Sequence, residues 1–164
     1  MKKIRLISFL LSLSLFSNIN ISNAQTSREE KEVKKEAAVK AMIDAKHFTF
    51  MAQNAIPSGM RTRQLTPDYY LRISKDTIES YLPYFGRAFS APIDNNNTGI
   101  EFKTTDFKYS MVEAKKGGWN ITIDLNKAGD TRQMFLYVSK AGYANLNVTS
   151  NNKENISFNG YVEK

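Results

Sequence analysis

The sequence predicts a mainly β domain, an antiparallel meander closing into a barrel behind an N-terminal helix. Three observations carry that expectation. From Phe48 onward apolar residues recur at every second position, the period of a strand with one buried face. Turn signals such as Lys115-Lys116-Gly117-Gly118 and Lys140-Ala141-Gly142 cut this pattern into about nine short strands. After Asp106 the connections between strands are short, which makes consecutive strands antiparallel neighbours.

A sheet of that size has to hide its edges, and closure on itself removes them. A barrel of lipocalin type is the first expectation and a two-sheet sandwich the alternative. The clearest strand sets Trp119, Ile121, Ile123 and Leu125 against Asn120, Thr122 and Asp124. Before it, Phe48, Phe50 and Ala52 alternate with polar neighbours, then Tyr69, Leu71 and Ile73. Thr77 to Leu82 and the pair Ile100 and Phe102 follow, and next Phe107, Tyr109 and Met111. After it come Met134, Leu136 and Val138, then Ala144, Leu146 and Val148, and last Ile156, Phe158 and Val162. The Asn120-Ile121-Thr122, Asn147-Val148-Thr149 and Asn155-Ile156-Ser157 triplets read as polar faces of these strands rather than as glycosylation sites.

Ahead of the strands, Ser27 to Lys46 reads as a helix. Ser27 and Glu30 have capping-box spacing, and Glu30 with Lys34 and Glu36 with Lys40 are favourable pairs four apart. Val33, Ala37, Ala41 and Ala45 form one stripe, flanked by Met42 and Ile43, that suits close packing on a sheet or barrel end. The competing reading is a solvated charged lead-in that orders only from about Ala37.

The first residues point to export. Lys2, Lys3 and Arg5 precede an apolar run from Ile4 to Phe16, and Ser22 and Ala24 supply the small residues of a cleavage site. The run falls short of the roughly 20 apolar residues that a membrane helix needs. The expectation is therefore a signal peptide over 1–24, removed near Ala24, and one β-rich domain over 25–164 with no membrane span after cleavage. The localisation implied is periplasmic or secreted. No cysteine is present, so packing alone must hold the domain together, and no lipid can be attached through a lipoprotein cysteine.

Charge and composition exclude several classes. The net charge of +7 falls to +4 without Lys2, Lys3 and Arg5, too small and too dispersed for a nucleic-acid surface. His47 is the only imidazole, placed where helix meets strand, so neither a Ser–His–acid arrangement nor a zinc site is indicated. Asp94-Asn95-Asn96-Asn97-Thr98-Gly99 has partial calcium-loop spacing, but its twelfth position is Thr105 instead of a bidentate Glu, and an ordinary turn explains it. No metal, cofactor or catalytic residue is implied.

Two long connections remain, and long loops in compact domains are commonly functional. One runs from Ile56 to Asp68 with Arg61 and Arg63, the other from Pro83 to Thr98. Beside the second, Tyr81, Tyr84, Phe85, Arg87 and Phe89 are the candidate ligand-binding residues, since rings around a guanidinium suit a partly apolar anion. The competing arrangement has the rings plug the barrel end while Arg87 pairs with a carboxylate such as Glu79.

Several runs here are distinctive: Tyr81-Leu82-Pro83-Tyr84-Phe85-Gly86-Arg87-Ala88-Phe89, Gly117-Gly118-Trp119, and Gly142-Tyr143-Ala144 leading to Leu146-Asn147-Val148-Thr149-Ser150. With Ile156-Ser157-Phe158-Asn159-Gly160 they make the chain, from about Phe48 to Tyr161, resemble an uncharacterised exported family of Bacteroidota, domain of unknown function 4251. The resemblance implies a Gram-negative envelope location and no known activity. Some members look like lipoproteins, from which this chain departs in having no cysteine. The functional expectation is a periplasmic binding or carrier module for a small apolar or amphiphilic ligand. Its alternative is an envelope interaction protein with a filled core and a protein partner. A hydrolase using carboxylates ranks third.

Overall fold

The computed structural model describes residues 20–89, 99–126 and 128–164, with side chains from residue 27 on. The chain forms two compact units, Met1–Lys34 and Lys35–Lys164. Within the first, the described part is helical and carries one ion pair, Arg28 to Glu32 at 3.2 Å. The hydrophobic leader and the Asp94 to Thr98 part of the calcium-like loop lie outside the described residues.

The second unit contains all the strands: β1 (Phe48–Pro57), β2 (Arg63–Gln64), β3 (Tyr70–Ile73), β4 (Ile78–Leu82), β5 (Ile100–Thr104), β6 (Phe107–Glu113), β7 (Trp119–Leu125), β8 (Thr131–Val138), β9 (Tyr143–Ser150) and β10 (Ile156–Glu163). Every ladder is antiparallel, in the order β5-β4-β3-β1-β10-β9-β8-β7-β6, with β2 also beside β1. The sheet therefore follows chain order around a ring whose first long strand pairs with its last. Only Thr105 and Asp106 separate β5 from β6, yet no ladder joins them among the described residues. The barrel is nearly closed, with a seam at that corner, and the sandwich alternative falls. Side chains pin the corner: Asn126 donates to the Asp106 carboxylate at 2.8 Å, and the Asp106 N–H donates to the Thr104 hydroxyl at 3.1 Å.

Alternation places the core. Phe48, Phe50, Leu71, Ile73, Ile78, Leu82, Ile121, Ile123, Met134, Leu136, Leu146 and Phe158 are fully buried in one cluster, with Trp119 and Leu125 beside them. Asn120 is exposed and Thr122 and Asp124 are half-buried on the opposite face. Apolar inside and polar outside is the reverse of a strand-built membrane pore. No helix among the described residues is long and apolar enough to cross a membrane.

The phase of β1 changes once. Ala52 faces Gly160 and Asn54 faces Asn159, so Gln53 is an extra residue bulged out of the ladder, and the inward set switches from Phe48, Phe50 and Ala52 to Ala55 and Pro57. The bulge brings the Met51 carbonyl so close to Gly160 that a Cβ there would collide with it. Only glycine fits opposite the bulge.

The helix, α1 (Asn20–Asp44), starts earlier than the predicted 27 and ends two residues short of the predicted Lys46. Ser27 lies inside it, so the capping box does not form in the full-length chain. The ending is a Schellman closure: the His47 N–H donates to the Met42 carbonyl at 3.1 Å and the Lys46 N–H to the Ile43 carbonyl at 3.0 Å. Lys46 adopts the left-handed conformation (φ 49°), a place usually held by glycine, and its ammonium lies 4.8 Å from the Tyr109 ring centre.

The expected stripe was misplaced. Val33, Ala37, Ala41 and Ala45 are exposed, while Val39 and Ile43 are buried and Met42 is partly so. Methyl-sized side chains bring little apolar area, so the larger residues at i, i+3 and i+4 set the packed face. Val39 packs over the β8–β9 turn, where a Cβ on Gly142 would lie 3.4 Å from its Cγ2. Glu36, expected to pair along the helix with Lys40, instead reaches Lys140 at 2.8 Å, and Lys40 pairs with Asp44 at 2.7 Å.

Two stability outcomes follow. Ile121→Ala should cost about 2–5 kcal/mol in urea unfolding, whereas Thr122→Ala should change it by less than about 0.5 kcal/mol. Lys46→Gly and Lys46→Ala both remove the ammonium from Tyr109, so their difference isolates the backbone. The glycine variant should be the more stable by about 1 kcal/mol in the same assay.

Candidate functional site

Both long connections meet at one end of the barrel. After β4, Pro83 cannot donate to a ladder, and the chain turns across the barrel end toward the β9–β10 loop. The Tyr84 hydroxyl shares its one proton between the carbonyls of Arg87 (2.9 Å) and Glu154 (3.1 Å). The Glu154 N–H donates to the Arg87 carbonyl at 3.1 Å, the Phe89 N–H to the Asn152 carbonyl at 2.7 Å, and Ala88 bridges Lys153. Gly86 lets the Tyr84 ring fold back, because a Cβ there would sit 2.5 Å from the Tyr84 oxygen. Burial pushes the Tyr84 phenol above its usual range, with the nearby Glu154 charge adding to the effect. From the other connection Arg63 lies 4.6 Å over the Phe85 ring.

The five candidate residues are thereby divided. Tyr84 and Phe85 are partly buried against the core. Arg87 joins them through its backbone, with an exposed side chain. Phe89 is 72 % exposed on the same strap. Tyr81 stands apart on the outer wall, 41 % exposed, stacked on Tyr69 at 5.5 Å and tilted against Tyr70 at 6.1 Å. Glu79 is not an internal carboxylate and not the partner of Arg87. It points outward on β4, where it accepts from Tyr70 (2.8 Å) and pairs with Arg72 (3.3 Å) and Lys103 (3.8 Å).

A second feature was not foreseen as a site. Three residue steps of β1, from Met51 to Asn54, face six steps of its neighbour, from Tyr70 back to Gln64. The excess loops out at Leu65 to Tyr69 and walls two shallow clefts on the outer face of β1. One, of about 260 Å³, is lined by Met51, Gln53, Asn54, Gln64, Leu65, Pro67 and Tyr161. The other, of about 440 Å³, shares Met51 and Pro67 and adds His47, Thr49, Asp68, Tyr70, Arg72, Glu163 and Lys164. Together they make a groove along β1 between β10 and the looped-out residues. The signal available in the sequence was the length of the Ile56 to Asp68 connection. What it lacked was the register that folds the connection back onto β1.

Among the described residues no group of three or more His, Cys, Asp or Glu side chains could hold a metal ion. His47 is exposed at the groove margin. Tyr109, at the helix end, has its phenol pushed up to about 12 by burial, with the Asp44 charge adding, and its hydroxyl has no partner among the described residues. Beside the groove, the Tyr70 hydrogen bond holds the Glu79 carboxyl below the usual carboxylate range, with Lys103 and Arg72 helping, and it raises the Tyr70 phenol in turn. A depressed carboxyl contributes stability above its unfolded pKa and loses it as pH falls through the folded value. Tyr70→Phe should therefore raise the Glu79 pKa toward 4.5, read by NMR titration of the carboxyl carbon, and lower stability at neutral pH by an amount that shrinks as the pH falls through the carboxylate range.

The comparisons with known proteins agree with this architecture. The chain matches the model of a domain of unknown function (DUF4251) over residues 30–162. It is similar in structure to a DUF4251 family protein from Bacteroides eggerthii DSM 20697, with a TM-score of 0.57 and 15% sequence identity, over 78% of this chain and 86% of that one. At that identity the likeness speaks for the fold alone. No curated protein matches the chain. With most of its length matched, and with the barrel and its N-terminal helix in place, the chain belongs to the DUF4251 family.

Proposed function

We propose that this protein is an exported binding module that works through its outer surface, rather than a carrier holding an apolar small molecule inside the barrel. One observation carries the reading: the interior is occupied by the protein's own side chains. Phe48, Phe50, Phe158, Met134 and Leu136 belong to one buried cluster and have essentially no exposure. A carrier needs a lined cavity of several hundred Å³ that encloses most of its ligand. Both clefts described above are open and lie outside the wall. Export to the periplasm rests on the basic, apolar and small-residue pattern of the first 24 residues.

In this reading Tyr84, Phe85 and the Arg87 backbone close the barrel end, while Phe89 and Tyr81 are contact residues on the outside. Phe85→Ala should lower stability by about 2 kcal/mol, since it removes a half-buried ring and the Arg63 contact. Arg87→Ala should leave stability nearly unchanged. Neither fatty acids nor lysolipids should raise the melting temperature of the wild type or of either variant. Native mass spectrometry of protein released gently from its own periplasm should show no amphiphile bound. A stoichiometric lipid adduct with a matching rise in melting temperature would restore the carrier.

A further inference from the structure

The outward face of β7 to β10 is rich in amides and aromatic rings. Cross-strand register sets Asn120, Tyr137, Asn145 and Asn159 in one row across four strands. The next row holds Thr122, Phe135, Asn147 and Ser157. Phe135 and Tyr137 are 47 % and 37 % exposed, two positions apart on one strand and so about 7 Å from each other on one face. About a quarter of the chain is charged, yet between Asp124 and Arg132 at one margin and Glu163 at the other no outward position of these strands carries an ionised group.

The amides here are held in place. Asn145 donates to the Asn159 carboxamide oxygen at 2.8 Å, and Asn147 donates to the Ser157 hydroxyl at 2.9 Å. The Tyr137 hydroxyl donates to the Gly117 carbonyl at 3.1 Å. Each carboxamide has two donor hydrogens and two acceptor lone pairs; Asn145 spends its second donor on the Phe158 carbonyl at 3.5 Å, and these bonds fix the orientations while leaving the Asn145 oxygen and part of the Asn147 and Asn159 capacity over.

From this we infer that the outer face of β7 to β10 binds a neutral polysaccharide chain, an inference that rests on the outer-surface reading above. Sugar hydroxyls both donate and accept, and they match oriented amides without bringing charge. The C–H faces of a sugar ring are apolar and can lie against Phe135 and Tyr137. Charge complementarity excludes other occupants: a polyanionic glycan or an anionic lipid surface would require lysines or arginines among these rows, and there are none. A protein partner fits less well. Its interface core would be a contiguous apolar patch, whereas the four outward rings here, Phe135, Tyr137, Tyr143 and Tyr161, stand beside amides that a protein surface must satisfy one by one.

Affinity electrophoresis tests the inference. The wild type should be retarded in native gels containing a neutral α-glucan (dextran), β-glucan (laminarin) or mannan, by at least one of the three. Alginate and heparin should retard it no more than the gel without polysaccharide. Replacing both rings by leucine (Phe135→Leu with Tyr137→Leu) keeps apolar area and removes the aromatic faces. It should weaken binding about tenfold, with the melting temperature checked in parallel. If that variant fails to fold, Asn145→Ala, on an exposed position, should show a smaller weakening in the same direction. No retardation by any neutral polysaccharide overturns the inference, as does equal or stronger retardation by the polyanions. Cross-linking of this face to a protein partner without glycan retardation would end the glycan inference while leaving the outer-surface reading standing. A bound interior lipid would instead remove that reading itself.

Discussion

The first long strand and the last are separated by almost the whole second unit, and the fold depends on their finding each other. β1 and β10 share the longest ladder of the described sheet, from Thr49 opposite Glu163 to Pro57 opposite Ile156. Until it forms, β3 to β5 and β6 to β10 are two open meanders, each with an apolar face in water. Loop-closure entropy must be met before that pairing repays it, which makes this the slow kind of contact to form. The ladder tolerates one irregularity, the Gln53 bulge, and that irregularity is what requires Gly160 on the partner strand.

Much of this wall was legible in the sequence because period two is unforgiving. A one-residue slip at Trp119 to Leu125 would bury Asn120, Thr122 and Asp124, so the inward set could be read without knowing any partner. The helix was harder. Its alanines traced a plausible stripe, but which stripe packs depends on what it meets, and Val39 meets the turn at Gly142. The turn at Lys46 also left no mark, since a lysine in a left-handed position looks like any other lysine in a sequence.

The candidate site was legible only in part, for a related reason. Tyr81 to Phe89 stood out because its aromatic residues are adjacent along the chain. The groove beside β1 arises from a mismatch in step between two paired strands, and the amide face of β7 to β10 from every second residue of four strands. Neither is contiguous in the sequence. Once the register is known, the Asn-x-Thr and Asn-x-Ser triplets acquire a meaning: their middle residues Ile121, Val148 and Ile156 are core, and Thr122, Asn147 and Ser157 share one row across the wall, whereas Asn155 lies in the loop just ahead of β10.

Among the described residues the seam between β5 and β6 leaves two strand edges without a ladder, and such edges recruit strands from other copies. Glu101 and Lys103 stand exposed along one edge, and Lys108 and Glu113 along the other. A second molecule that docked its own edge there would have to strip water from these ions before any backbone hydrogen bond formed. The charges that flank the gap in the barrel thus work against edge-to-edge pairing between copies.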